Sequence, residues 1–201
     1  MARVLINFAH PALEKSRMHK QLVPMLKTVP GITFNDLYER YPDMDVDVTR
    51  EQRLLEQHDI IILQHPVYWY NAPAIIRQWQ DLVLEHGWAY GHTGKALQGK
   101  YMTNAVSAGS RQDHYQAGGI HGFPLEQFFL PFSQTAVLCN MKYVSPYIIY
   151  GVHRMDTSAI QEEVKRYRQL LEVLKSPDFD LTTLTKISHL NELVKAPIQT
   201  T

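Results

Sequence analysis

Short apolar runs alternate with segments in which apolar residues recur at helical spacing over most of the chain. A strand that is buried on both faces has a continuous apolar run, whereas a helix that covers a sheet has one apolar stripe. The pattern predicts strands at 3–9, 32–37, 60–63, 100–106 and 143–152. It predicts helices at 16–28, 49–57, 71–83, 124–138 and 158–174.

The alternation of strands and helices implies right-handed crossovers and a parallel sheet. We therefore expect one α/β domain over residues 1–175. Its core would be an open, doubly wound sheet of five parallel strands with helices on both faces, most simply of the flavodoxin-like type. Residues 176–201 form a polar tail with a weakly amphipathic end at Leu190, Leu193 and Val194. This tail is expected to be loose or to pack on a partner subunit.

Single residues predict where the helices begin and end. Pro24 lies inside the first helix, where a proline causes a kink or an early stop. Residues 38–48 are rich in acidic side chains and are expected to form a surface loop, with Thr49 capping the short helix that follows. Asn71 and Ser158 are the expected caps of two later helices, because short polar side chains accept hydrogen bonds from free helical N–H groups.

The most informative stretch follows the strand at 60–63. Pro66 breaks the apolar run, and Tyr68, Trp69 and Tyr70 follow in succession. One interpretation is that the three rings only fill the core. Side chains alternate along extended backbone, however, so no single core face can bury all three. Because parallel sheets bind ligands beyond the carboxyl ends of their strands, the cluster favours a flat ligand such as a flavin ring.

Three other loops are candidate ligand contacts. His10 and Ser16 flank the start of the first predicted helix, whose free N–H groups and dipole suit a phosphate. Alternatively, Ser16 is only a helix cap and His10 a turn residue. Residues 107–110 are small enough to let the backbone approach a cofactor closely. The glycine-rich aromatic loop at 87–94 is expected to be a flexible wall or lid.

Composition narrows the class of protein. Twenty basic residues balance twenty acidic ones without a basic run, which argues against nucleic acid or an anionic membrane as the main partner. The ten histidines form no HExxH motif, and the single cysteine, Cys139, allows neither a disulfide framework nor a cysteine-based zinc site, so no metal site is expected. The amino terminus lacks the pattern of a signal peptide, and no stretch approaches membrane-spanning length. A reducing cytoplasm fits best.

Several longer motifs occur in a fixed order along the chain. They are Ala9-His10-Pro11, His65 to Pro73 followed by Trp79, Gly87-Trp88-Ala89-Tyr90-Gly91, and Tyr115 followed by Gly119-Ile120-His121-Gly122. In these motifs the chain resembles the flavodoxin-like NAD(P)H dehydrogenase (quinone) family. It resembles more closely the small bacterial members that accompany glutathione-gated potassium-efflux systems. The resemblance runs from about Val4 to Gly151.

The resemblance implies a flavoprotein that binds FMN, with FAD as the alternative, and takes its electrons from NADPH or NADH. It assigns the flavin phosphate to His10, Ser16, Arg17, Met18 and His19. It frames the flavin ring with Val67, Tyr68, Trp69, Tyr70, Ser107, Ala108, Gly109 and Ser110. Tyr115 and His121 correspond to the family's Tyr/His pair beside the flavin, and without the resemblance they would be ordinary loop residues.

The chain departs from the family at the exit of the fourth strand. Family members commonly carry Thr-Thr-Gly-Gly there, whereas this chain has Ser107-Ala108-Gly109-Ser110. Backbone contacts to a flavin survive such a change. The departure bears on the shape of the pocket and on its preference among quinones.

Two functions of different classes follow from the resemblance. The first is an enzyme in which NAD(P)H reduces bound flavin and a quinone then takes the hydride. The second is a regulatory module that docks on a potassium-efflux transporter at the inner face of the cell membrane. A one-electron carrier is disfavoured, because such carriers are usually strongly acidic and this chain is neutral. We expect a homodimer in which the partner covers Trp88 to Tyr90.

Overall fold

Six β-strands and six α-helices form within residues 2–194, the part of the chain that the computed structural model describes. The strands are β1 (Val4–Phe8), β2 (Ile32–Asp36), β3 (Ile60–Pro66), β4 (Tyr101–Ser107), β5 (Lys142–Tyr143) and β6 (Tyr147–Ile149). The helices are α1 (His19–Leu26), α2 (Leu37–Arg40), α3 (Val48–Gln57), α4 (Ala74–Val83), α5 (Leu130–Leu138) and α6 (Thr157–Leu174).

The strands form one parallel sheet in the order β2-β1-β3-β4-β5, with β6 continuing beyond β5 along the same side of β4. The predicted doubly wound, five-stranded sheet is therefore confirmed. The strand predicted at 143–152 is divided, because β5 ends at Tyr143 and β6 begins at Tyr147. Pro146 lies between them, and proline has no N–H with which to continue the ladder.

Each face of the sheet is covered by its own hydrophobic cluster. Leu5 and Ile61 point to the side of α3, α4 and α5, whereas Ile6 and Ile62 point to the side of α1 and α6. All four residues are buried, as expected when successive side chains of a strand alternate between two covered faces. Because the helices cover the two faces of the sheet, the loops that follow the strands form the edge at which the strands' carboxyl ends lie.

The predicted beginning of the first helix is three residues too early. Residues Leu13–Lys15 form a short 3-10 turn, and α1 begins only at His19. The Ser16 side chain accepts a hydrogen bond from the backbone N–H of His19 at 3.0 Å, so Ser16 caps the helix from outside it. Pro24 lies inside α1, and the helix ends two residues after it.

Other helix ends also differ from the predictions. The segment predicted as a loop at 38–48 overlaps the one-turn helix α2, and Asp47 rather than Thr49 caps α3, since its carboxylate accepts from Arg50 N at 2.9 Å. Likewise, Asp156 rather than Ser158 caps α6. In each case an aspartate that precedes the expected residue has the extended backbone of a cap.

The beginnings of α4 and α5 also differ from the predictions, and a proline lies at each of them. Asn71 does not cap α4, because its side chain accepts a hydrogen bond from Ala72 N at 2.8 Å and the cap position is occupied by Pro73. The helix predicted at 124–138 is split into a 3-10 segment, Leu125–Phe129, and α5. Pro131 therefore lies in the first turn of α5, where a missing N–H costs nothing.

The loop at 87–94 is not a lid over the carboxyl edge of its own sheet. Ala89 is buried, and Trp88 Nε1 donates to Glu56 Oε1 at 3.0 Å near the end of α3. Lys100, which precedes β4, donates to the Glu56 backbone carbonyl at 2.9 Å. These contacts place the loop beside the amino ends of the strands.

Residues 176–194 pack on the same chain and therefore do not form a loose tail. Leu184, Leu190 and Val194 are buried in the cluster that includes α6. Residues 195–201 of the predicted tail lie outside the described residues. Within 2–194, no helix combines the length and the apolar character that a membrane crossing requires.

Candidate functional site

Strand register brings the loops after β1, β3 and β4 together at one edge of the sheet. Phe8 is level with Gln64, and Pro66 is level with Ser107. Beyond the strands, Val67 N donates to Ser107 O at 2.9 Å, which extends the pairing into the loop. The predicted site residues of the three loops are therefore neighbours, as expected for the carboxyl edge of a parallel sheet.

Two neutral histidines occupy one side of this edge. The rings of His10 and His19 are 5.4 Å apart. His10 Nδ1 accepts a hydrogen bond from Ala12 N at 3.1 Å, so its Nε2 carries the proton when the ring is neutral. Burial lowers the pKa of His10. Burial, with smaller effects of His10 and His65, lowers the pKa of His19 to about 3.

His19 has unmet hydrogen-bonding capacity in the interior. Its Nε2 is 2.9 Å from Ser107 Oγ, but its Nδ1 is buried and has no partner among the described residues. Buried polar atoms are nearly always paired, so an unpaired one is a mark of a ligand or water site. A cleft of about 200 Å³ opens beside it, lined in part by His10, Ser16 and Val67.

Arg17 and Met18 also line that cleft. The Arg17 guanidinium donates to the backbone carbonyl oxygens of His153 and Met155, which ties two loops together. The Met18 side chain is buried in the core next to Leu22. What these two residues offer a phosphate is mainly the backbone N–H at the entry to α1.

The aromatic residues after β3 form a strained turn. Tyr68 and Asn71 exchange two backbone hydrogen bonds, at 3.0 and 2.9 Å, and between them Trp69 and Tyr70 have φ values of 50° and 61°. Two-residue turns of this hand favour Asn-Gly, because bulky residues at positive φ cost about 1–3 kcal/mol each. The turn holds all three rings outside the core, with Trp69 94% exposed.

A buried network lies directly below this turn. His65 Nδ1 is 2.9 Å from Pro66 O, to which it donates. Asn104 Nδ2 donates to His65 Nε2 at 3.1 Å, and Tyr143 OH donates to Asn104 Oδ1 at 2.7 Å. Burial lowers the pKa of His65 to about 4, so the ring is neutral at physiological pH. The network therefore holds the Pro66 carbonyl group, which lies directly before the turn, in a fixed position.

Tyr115 and His121 come together beside the turn. Their rings stack at 4.2 Å between centroids with an interplanar angle of 19°. His121 Nε2 is 2.9 Å from Ser110 Oγ, and Nδ1 is 3.4 Å from Tyr70 OH. The Ser110 side chain also lies near the Tyr115 phenol, and burial raises the pKa of that phenol. Tyr115 is therefore protonated at neutral pH and can donate a hydrogen bond.

The remaining residues of the exit turn after β4 have distinct roles. Ala108 is buried, and its N–H donates to Ile149 O at 2.8 Å, which anchors the turn to β6. Gly109 lies against the His153 ring, where a Cβ atom would come within 2.5 Å. Glycine is therefore required at 109 by close packing as long as His153 keeps its position.

Two residues near the Tyr115/His121 pair were not predicted from any pattern in the sequence. Tyr150 follows β6, and its ring centroid is 5.9 Å from that of Tyr115. Its hydroxyl donates to Glu126 Oε1 at 3.2 Å. Neither residue belongs to a recognisable motif, and only the packing of two distant segments reveals them.

No group of three His, Cys, Asp or Glu side chains within 2–194 is placed to hold a metal ion.

Comparison with known proteins defines the class. Residues 2–171 match the family described by a flavodoxin-like fold, and the chain belongs to that family. The fold and the family resemblance expected from the motifs are both confirmed.

Three relatives make the similarity specific. The chain is 39% identical over 168 residues to the glutathione-regulated potassium-efflux system ancillary protein KefF of Klebsiella aerogenes, covering 84% of this chain and 94% of that protein. It is similar to general stress protein 14 of Treponema denticola, solved with FMN, at 38% identity and a TM-score of 0.76, covering 83% and 93% of the two chains. It is also similar to an NADPH-quinone reductase of P. pentosaceus, at 32% identity and a TM-score of 0.75, covering 83% and 96%.

Proposed function

We propose that this protein is an FMN-dependent NAD(P)H:quinone oxidoreductase. The observation that carries the proposal is the stacked Tyr115/His121 pair, held by Ser110 and Tyr70 next to an exposed aromatic turn. Aromatic surfaces bind flat rings, and a phenol with an imidazole can donate hydrogen bonds to charge that develops on such a ring. The quinone reductase among the relatives supports the same activity.

The residues on the other side of the edge suit a flavin phosphate. His10 presents a protonated Nε2, and His19 has a buried Nδ1 without a partner among the described residues. Both side chains are neutral without a ligand, and both can take up a proton next to an anion. The N–H groups at the start of α1 lie in the same place. FMN is favoured over FAD because a relative is known as an FMN complex.

The chemistry divides between the cofactor and the protein. When bound, the flavin accepts hydride from NADPH or NADH and passes two electrons to a quinone. Tyr115 donates a hydrogen bond from a phenol that stays protonated, and its stacking on His121 fixes the direction of that donor. Ser110 holds the imidazole from one side and Tyr70 from the other. A preorganised donor of this kind at Tyr115 stabilises negative charge without reorganising during the reaction, and the stacked His121 ring keeps it in place.

The experiment that tests cofactor binding measures the purified protein with and without added FMN. We expect a flavin absorption spectrum and quenching of FMN fluorescence at micromolar protein. His19→Phe should weaken FMN binding because it removes both ring nitrogens. The matched control is His92→Ala, an exposed histidine in the loop beside the strands' amino ends. If the protein shows no flavin absorption and quenches no FMN fluorescence, the proposal is wrong.

A homodimer is part of the proposal because an extended apolar surface is exposed. Five large apolar side chains face solvent on α5 and in the loop before it: Ile120, Phe123, Leu130, Val137 and Leu138. Several exposed large apolar side chains on one helix and the loop before it favour an interface, and a second copy of the chain is its simplest occupant. We expect light scattering to give the mass of a dimer. The variant Val137→Glu should shift the protein towards monomer, whereas monomer in the unmodified protein would contradict the proposal.

A second candidate function rests on the KefF relative. A protein of that name is an ancillary component of a potassium-efflux system, so this chain is a candidate regulatory subunit at the inner face of the membrane. Capture of the transporter's cytoplasmic domain by the purified protein tests this function. Steady-state reduction of simple quinones tests the first. Binding without turnover would favour the regulatory function alone.

A further inference from the structure

The segment 176–194, here called the C-terminal extension, lies beyond the part of the chain that matches the family. The family match ends at residue 171, and the 168 residues aligned with the KefF relative already make up 94% of that protein. In this chain the extension is folded. It contains two short 3-10 segments, Leu181–Thr185 and Leu190–Leu193, and buries Leu184 and Leu190.

The extension binds the free edge of β6. Asn191 Nδ2 donates to Ile148 O, and Asn191 Oδ1 accepts from Ile148 N, both at 3.0 Å. The side-chain amide therefore satisfies the same two backbone groups that a further strand would. An edge strand otherwise presents its N–H and C=O groups to solvent or to other chains. Ile148 lies two residues before Tyr150.

The same segment also contacts the loop that carries the Tyr/His pair. His189 Nε2 is 3.6 Å from Glu126 Oε1, the atom that accepts the hydrogen bond from Tyr150 OH. The Glu192 carboxylate accepts from the backbone N–H groups of Ser188 and His189, which fixes the backbone that carries the His189 ring. Glu126 is thus held between the extension and Tyr150.

Tyr150 completes the connection to the proposed site. Its ring is 5.9 Å from Tyr115, which in turn stacks on His121. Residues 112–129 contain Tyr115, His121 and Glu126 but lack long regular structure, being made of turns and short 3-10 segments. Such a stretch depends on side-chain contacts for its position.

We propose that the C-terminal extension supports the Tyr115/His121 pair by holding Glu126 and Tyr150, so that Asn191 and Glu126 are positioning residues for the reaction. The kinetic part rests on the proposed function, whereas the structural part does not. A purely protective role at the edge of β6 would affect global stability but would leave residues 112–129 unchanged.

The test compares the full-length variants Asn191→Ala and Glu126→Ala with the unmodified protein. Amide hydrogen exchange over residues 112–129 is measured without flavin, and quinone reduction is measured at equal flavin occupancy. We expect exchange to be faster by about threefold to tenfold, and kcat/KM to be lower by a similar factor, as for the loss of one neutral hydrogen bond. Glu126→Gln keeps an oxygen acceptor at Oε1, so its exchange rate and its kcat/KM should both be close to those of the unmodified protein. Lys186→Ala, an exposed change in the extension, is the matched control.

The outcomes separate the two parts. Unchanged exchange in residues 112–129 for both variants, even with a lower melting temperature, would overturn the proposal. Faster exchange with unchanged kcat/KM in flavin-loaded protein would overturn the positioning of the pair. If the unmodified protein binds no flavin, the proposed function fails, and the exchange data still decide whether the extension supports the loop. If Asn191→Ala does not fold, His189→Ala, which removes the contact of the extension with Glu126, gives the decision.

Discussion

Replacing Tyr115 by phenylalanine removes one hydroxyl from the proposed site and keeps the ring that stacks on His121. The stack at 4.2 Å and 19° involves only ring atoms, so we expect it to remain. The lost interaction is that of the hydroxyl with the nearby Ser110 side chain, and a typical neutral hydrogen bond would contribute at most about 0.5–1.5 kcal/mol of stability. Flavin content and fold should therefore change little.

The kinetic cost should be larger than the stability cost. A single donor aimed at developing charge contributes about 2.7–4 kcal/mol in oxyanion-type sites. A flavin spreads its charge over several atoms, so we expect about 1.4–2.7 kcal/mol, which is roughly a tenfold to hundredfold slower reduction by NAD(P)H. His121→Gln should behave similarly. The double variant should lose less than the sum, because both donors act on the same charge.

Stopped-flow absorbance of flavin reduction, after flavin content has been equalised, measures this effect. The matched control is Tyr101→Phe. Tyr101 is also buried and its hydroxyl accepts a hydrogen bond from Lys142 at 3.3 Å, but it lies at the amino end of β4. An unchanged reduction rate in Tyr115→Phe at full occupancy would refute the reasoning and return both residues to ordinary loop positions.

Three further outcomes are expected. Ser110→Ala should slow flavin reduction by about threefold to tenfold in the same assay, because His121 loses the partner at 2.9 Å. Stability in urea should fall as pH drops from 6.5 towards 4, by up to about 1.4 kcal/mol per pH unit from His65. The unfolded ring takes up a proton at its ordinary pKa, while the buried ring, with a pKa of about 4, does not. His65→Gln should remove this contribution, whereas the part of the slope that comes from His19, whose pKa burial lowers to about 3, should remain. Glu51→Ala should lower the free energy of unfolding by about 3–5 kcal/mol, since this buried carboxylate accepts from Trp79 Nε1 at 2.9 Å and pairs with Arg50.

Helix ends and the fifth strand show where local patterns mislead. Thr49 and Ser158 have the right chemistry for caps, but aspartates two residues earlier have the required extended backbone. Pro146 divides the last strand although Val144, Tyr147 and Ile148 around it are apolar. Several neighbouring residues satisfy the local rule in each case, and the packing of the whole element selects among them.

The sequence by itself determined the strands, their alternation with helices and the aromatic loop after β3, because hydrophobic periodicity is a local property that every element carries. Only the tertiary structure decided which side chains meet. Tyr70 and His121 are 51 positions apart in the sequence, and Asn191 and Ile148 are 43 positions apart, yet the members of each pair are in contact. Contacts of this kind depend on strand order and loop geometry, which no local pattern encodes. The strained turn at Trp69 is stable only because the packed sheet beneath it holds both of its ends.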